Sequence, residues 1–177
     1  MKPEAQVRSR RVFEGRVVNL RVDRVRLPDG RETEREAVEH RGAAVIVPLT
    51  SAADVLLVRQ FRYAAGESLL EVPAGTLEPG EAPLACAVRE LAEEVGARAA
   101  HWEPLAVLYP SPGVMTEVMH LFLATGLTEG PVPGTPDEDL TVERVPLRQA
   151  VEMVRRGEIR DAKSVAGLLL LARQRGV

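Results

Sequence analysis

Apolar and charged positions alternate over the first forty residues: Val17, Leu20, Val22, Val25 and Leu27 sit among Arg21, Asp23, Arg24 and Arg26. A period of two is what half-exposed strands require. Pro28-Asp29-Gly30 reads as a hairpin turn, and 36–39 as part of the returning strand. The unbroken apolar run 43–48 suits a central strand buried on both faces. After a turn at 51–54, further strands are predicted at 55–58 and at 69–72, the latter stopped by Pro73. Residues 76–80 read as a loop. A helix is predicted over 83–95, with Pro83 tolerated in its first turn and Gly96 at its end. Later strands fall at 105–109, 118–124 and 140–145, with a glycine- and proline-rich surface loop over 126–136. Helices over 147–156 and 162–173 complete the pattern. Strands interspersed with a few helices predict an α/β fold, a mixed sheet with helices on both faces. An antiparallel β segment over 1–40 precedes the domain proper, 41–177. That segment is longer than a small sandwich needs, so it is expected to pair with a second chain in a homodimer.

At about 100° per residue, Leu84, Val88, Leu91 and Val95 fall in one stripe of the helix and are predicted to face the core. Glu90 and Glu94 then share one flank, with Glu93 further round and Arg89 on the opposite side. Such crowding of like charges destabilises a helix unless a cation joins it. Mg²⁺ prefers oxygen ligands and is commonly held by a couple of carboxylates together with substrate phosphates. Gly75 permits backbone geometries closed to other residues and lets a carbonyl, most simply that of Ala74, face the metal. Glu81 adds a carboxylate near the helix entrance, and Arg89 can orient one acid through a bidentate contact. Without a longer pattern, a surface helix with solvated charges would be the simpler reading.

Composition narrows the function classes. A net charge of -3 argues against a generic polyanion binder, and 3% aromatics against a base-stacking surface. The single cysteine, Cys86, allows neither an internal disulfide nor a cysteine-based zinc site, and reads as a packed small residue. His40, His101 and His120 lack metal-ligand spacing. Trp102 and Tyr109 read as core or pocket-wall residues. The start of the chain, MKPEAQVRSRR, has no apolar stretch of the signal-peptide kind, and no apolar run is long enough to cross a bilayer. A cytoplasmic location is expected, with no membrane or nucleic-acid partner.

The longer pattern is Gly75, Glu81, Arg89, Glu90, Leu91, Glu93, Glu94, Gly96 and a small apolar Ala97, in fixed register. It resembles the Nudix box. The resemblance implies a Nudix α/β/α sandwich that hydrolyses a nucleoside diphosphate linked to another moiety, using two or more Mg²⁺ ions for which Mn²⁺ or Zn²⁺ can substitute. It implies Glu90 and Glu94 as the main metal ligands, Glu93 assisting, the Ala74 carbonyl contributing, Glu81 supporting the cluster and Arg89 holding it in place. Ser111-Pro112-Gly113 puts a proline fifteen residues after Ala97, a spacing similar to the ADP-ribose pyrophosphatase branch. The likeness extends through Arg59-Gln60-Phe61-Arg62, Leu70-Glu71-Val72-Pro73-Ala74-Gly75, Gly157-Glu158-Ile159 and Asp161-Ala162-Lys163-Ser164.

In that branch likeness Pro112 and Gly113 belong to the substrate site, Arg62 contacts the diphosphate and Glu117 accepts hydrogen bonds from ribose hydroxyls. Glu138 resembles the base that orients the attacking water, with Glu93 as its competitor. Arg35 reaches the adenine side across a dimer interface. Plainer readings stand beside these: Arg62 as a solvated strand-end charge, Glu117 as an exposed loop acid, and Glu138 as part of a solvated turn. Related enzymes carry an aromatic for base stacking near 16–18; this chain has none there. The implied reaction splits ADP-ribose into AMP and ribose 5-phosphate by attack of metal-activated water. GDP-mannose or another nucleoside diphosphate sugar is the alternative substrate. A non-catalytic nucleotide sensor is the alternative of another class, opposed by the presence of Glu90, Glu93 and Glu94.

Overall fold

A computed structural model describes residues 2–132 and 140–177. The chain divides into two compact units, one running to Gly42 and taking in Tyr109–Val118, the other Ala43–Leu108 with Met119–Val177.

The first unit is an antiparallel meander of β1 (Ala5–Glu14), β2 (Asn19–Arg26) and β3 (Glu32–Glu39). Its β2–β3 turn forms at Pro28-Asp29-Gly30 as predicted, with Gly30 at φ 89° and its N–H donating to the Leu27 carbonyl. β1 falls inside the β segment read over 1–40. Every residue of β1 is exposed, so no buried face imposes a period of two on it. Within the same unit, the Val38 N–H donates to the Val114 carbonyl at 2.8 Å and the Thr116 N–H to the Val38 carbonyl at 3.0 Å.

The second unit is layered. β7 (Ala74–Thr76), β4 (Ala43–Pro48), β9 (Met119–Glu129) and β8 (Ala97–Leu108) form one mixed sheet in that order, β4 and β9 being parallel. A second sheet orders β10 (Leu140–Pro146), β5 (Asp54–Arg62) and β6 (Glu67–Glu71). β4 is buried along its whole length, as its apolar run requires. Its odd residues Val45 and Val47 enter one apolar cluster with α2 (Leu147–Arg155) and α3 (Ala162–Arg175), and its even residues Ala44 and Ile46 enter another with α1 (Pro83–Val95). Helices therefore cover the strands on both sides.

Of the predicted edges that move, two move furthest. β8 begins at Ala97 rather than 105, because as an edge strand it keeps many positions exposed and tolerates Pro104 at a register shift. β9 continues past Gly126, whose φ of 66° admits an irregularity without ending the pairing, so 126–129 is strand rather than loop. Trp102 packs edge-on against Phe122 at 6.4 Å, whereas Tyr109 is 61% exposed and is no core residue.

Candidate active site

α1 has the predicted bounds: Pro83 opens it, and Gly96 closes it in the left-handed conformation with its N–H on the Ala92 carbonyl. Its buried face is different. Cys86, Ala87, Leu91, Glu94 and Val95 are buried, while Leu84 and Val88 are 44% and 47% exposed. The face that meets the sheet is rotated toward small residues, because Cys86 and Ala87 allow the helix to approach Ala44 and β7 closely. That rotation carries Glu94 inward to 3% exposure and leaves the Glu90 side chain at 12%.

Each carboxylate has a defined setting. Glu94 Oε2 accepts the Ala74 N–H at 3.1 Å. Glu90 packs over Gly75, where an added Cβ would lie 1.8 Å from Glu90 Oε1. Gly75 is thus needed for space and not for an unusual φ, which corrects the conformational role read from the sequence. Arg89 does not stand apart from the acids either. Its Nε and Nη2 donate to both oxygens of Glu81 at 3.0 Å, and its Nη1 to Glu90 at 2.5 Å and Glu93 at 3.1 Å. A long stem lets the guanidinium swing round the helix to the acidic side. Arg89 holds the Glu81 carboxyl down to about 2, helped by the Glu78 N–H, and the acids in turn push Arg89 above the ordinary arginine range. Burial, with the nearby charges of Glu81 and Glu90, pushes the Cys86 thiol up to about 12, so it is a packed donor to the Gly75 carbonyl and no nucleophile.

Glu81, Glu90, Glu93 and Glu94 offer only hard oxygen donors, with the room over Gly75 filled by one of them, and this donor set suits a divalent cation of the Mg²⁺ type. Among the described residues no three acids, histidines or cysteines form a closed metal cage, since Arg89 stands among the carboxylates.

Other predicted site residues are distributed between the units. Arg62 lies in the second unit at the end of β5, its Nε and Nη2 donating to Glu71 at 2.9 and 2.7 Å. In the first unit Arg35 chelates Glu4 at 2.8 and 3.1 Å. There, too, Pro112 and Gly113 lie in a turn bonded from Val114 and Met115 to the Ser111 carbonyl. Glu117, 16% exposed, approaches His40 Nδ1 at 3.6 Å; that nitrogen already accepts the Gly42 N–H. Glu138 lies outside the described residues.

Glu71 received no role from the sequence, although a charge within Leu69-Leu70-Glu71-Val72 was a usable signal, because a carboxylate in an apolar run must find buried partners. It is 1% exposed and takes Lys163 as well as Arg62. Burial pushes its carboxyl up, but the two cations outweigh that and hold it below its ordinary range.

The profile of the NUDIX domain matches residues 39–168, and that of the nucleoside diphosphate sugar hydrolase N-terminal domain matches residues 4–38. A methanol dehydrogenase activator of Bacillus methanolicus is 36% identical over 173 residues, 97% of this chain and 94% of that protein. ADP-ribose pyrophosphatases of Bacillus subtilis and Mycobacterium tuberculosis are 36% and 40% identical, over 95% and 92% of this chain and 92% and 80% of their own. A GDP-mannose pyrophosphatase of Cronobacter sakazakii is 40% identical over 70% of this chain and 69% of its own. A crystal structure of an ADP compounds hydrolase superposes with a TM-score of 0.86 at 23% identity, covering 99% of this chain and 97% of that one.

Proposed function

The chain belongs to the NUDIX domain family and is a Nudix pyrophosphohydrolase, and from that premise we propose that its substrate is ADP-ribose, split into AMP and ribose 5-phosphate. Near-complete coverage of this chain by two relatives named ADP-ribose pyrophosphatases carries the choice of substrate, against 70% coverage by a GDP-mannose pyrophosphatase. GDP-mannose is kept as the second reading on that match.

Nudix hydrolases use divalent metal, and here we assign Mg²⁺, in two or more ions, with Mn²⁺ or Zn²⁺ as substitutes. Glu90 and Glu94 would hold it, with Glu93, Glu81 and the Ala74 carbonyl contributing. Bound metal neutralises the pyrophosphate and lowers the pKa of the attacking water. The chain's own part is placement. The Ala74 N–H fixes one oxygen of Glu94, the bare Cα of Gly75 makes room for Glu90, and Arg89 restrains Glu81, Glu90 and Glu93. Arg62 would bind the diphosphate through the donors it keeps outside Glu71. Glu138 or Glu93 would orient the water, Glu117 would take the ribose hydroxyls, and Pro112 and Gly113 would complete the substrate site.

Residues 1–40 are proposed as a dimer-forming β segment ahead of the hydrolase domain 41–177, with Arg35 serving the partner's site in a cytoplasmic homodimer. Solution mass tests the dimer. For the substrate, the pure protein is incubated with Mg²⁺ and a nucleotide panel and its products are resolved. AMP and ribose 5-phosphate from ADP-ribose are expected. Turnover of GDP-mannose alone would transfer the assignment, and turnover confined to nucleoside triphosphates would sink the substrate class.

A further inference from the structure

The buried charge at Glu71 belongs to a continuous network across the second unit. Both of its oxygens are used by Arg62, and one also by Lys163. Lys163 Nζ donates in turn to Asp161 Oδ1 at 2.8 Å, and the same oxygen accepts the Ser164 N–H at 3.2 Å, capping α3. Ser164, fully buried, returns to the strand by accepting the Val72 N–H on its Oγ at 2.8 Å. The segment Asp161-Ala162-Lys163-Ser164 is thereby fastened to Glu71-Val72.

The three residues that follow are fastened at the other end. The Pro73 carbonyl accepts the Ile46 N–H at 2.9 Å, the Ala74 N–H meets Glu94, and the Gly75 carbonyl takes the Cys86 thiol. One run of five residues thus carries the anchor of Arg62 at its start and the anchors of the acidic cassette at its finish. The two ends also share a field, since Glu94 and Asp161 both help to hold Arg62 above the ordinary arginine range after Glu71 itself.

Burying a carboxylate between two cations is a costly way to gain stability, because the desolvation penalty offsets the attraction and apolar residues do as well. The geometry has another use. A free arginine spreads over many rotamers, and ordering it costs conformational entropy. Two parallel hydrogen bonds to a fixed carboxylate settle that cost within the fold. They occupy Nε and Nη2, and no hydrogen bond among the described residues uses Nη1, with the side chain 39% exposed. Arg62 is therefore rigid on its inner edge and open on its outer one.

We propose that Glu71, held in turn by Lys163 and the Asp161 cap, is the positioning residue that presents Arg62 to the substrate's diphosphate. The proposal rests on the reading of Arg62 as a diphosphate contact. It gives the Asp161-Ala162-Lys163-Ser164 motif a part in substrate binding, although none of these residues need touch the substrate.

A double-mutant cycle tests it: wild type, Arg62→Gln, Glu71→Gln and the pair, each with kcat, KM and melting temperature, on whichever nucleoside diphosphate sugar the enzyme turns over. Each single change is expected to raise KM about tenfold with kcat within about threefold, and the pair to be no worse than Arg62→Gln alone. A purely structural Glu71 would lower the melting temperature and leave KM alone, or its cost would multiply with that of Arg62→Gln; either result overturns the proposal while Arg62 keeps its role. If Arg62→Gln changes neither KM nor kcat, the diphosphate contact and the proposal fall together. Should Glu71→Gln not fold, Glu71→Gln with Lys163→Met removes the carboxylate and one cation at once and takes its place in the cycle.

Discussion

The two charged clusters of the second unit are wired in opposite senses. At the cassette one guanidinium, Arg89, gathers three carboxylates, and a fourth, Glu94, lies beside them. At the other cluster, a strap made by Glu71, Arg62, Lys163 and Asp161, one carboxylate gathers two cations that Asp161 balances. The first arrangement is rich in anionic oxygen and partly open, with Glu93 at 41% exposure, which fits the divalent-metal site proposed for it. The second is internally compensated, with its carboxylate buried and only the outer edge of Arg62 open, which suits a device that fixes geometry. Similar residues thus do different work according to whether their charges stand in anionic excess or in balance.

The comparison breaks first at Glu94. Glu94→Gln keeps an acceptor for the Ala74 N–H but removes the charge, so kcat is expected to fall on the order of a thousandfold with folding intact. Comparable loss of secondary structure by circular dichroism would put Glu94 on the structural side instead. Glu71→Gln should instead leave kcat nearly unchanged while KM rises and stability falls. It leaves two cations around a neutral group, and a loss of about 2–4 kcal/mol by urea unfolding is expected, less than for a wholly buried pair because Arg62 is 39% exposed. Next comes Glu81→Gln, which frees Arg89 from its bidentate partner without touching Glu90 or Glu94. A loss of activity of about 10–100-fold, measured as kcat/KM at saturating Mg²⁺, is expected of a residue that orients ligands.

Acid separates the clusters more gently. The folded Glu71 carboxyl titrates below its ordinary value of 4.5, so the strap adds stability at pH above that value and loses it as the pH falls toward the lowered one. Melting temperature should therefore drop less on acidification in Glu71→Gln than in wild type. The smallest effect is expected at Val88→Ala, within about 0.5 kcal/mol, because this residue faces solvent. A loss near that of a core truncation would restore the helix face read from the sequence.

That last test marks where the sequence was legible. The bounds of α1 could be read because Pro83 and Gly96 act through local backbone geometry. Its buried face could be read only in part: Leu91 and Val95 are buried as predicted, but a stripe that also holds Leu84 and Val88 outweighs Cys86 and Ala87 on any hydrophobicity count. Close approach to a strand selects for small size instead. β4 was evident from its apolar run, whereas β1, exposed throughout, could be placed only within the broad β segment 1–40, because it has no buried face to mark its own bounds. The cassette acids could be named from their spacing, but the reach of Arg89 over three of them depends on a rotamer. Glu71 stood in plain view, and only the fold shows that α3 supplies its second cation.

β4 has one more consequence. It is buried from Ala43 to Pro48, paired on one side with β9 and on the other with the cassette's entry strand β7, Ala44 standing opposite Gly75. Amides in such a strand exchange with solvent only when the whole unit opens, so the segment that carries the cassette has no low-energy fraying route of its own on this side. Exchange protection should accordingly be highest along β4, and heating should extinguish catalysis and global structure in one transition.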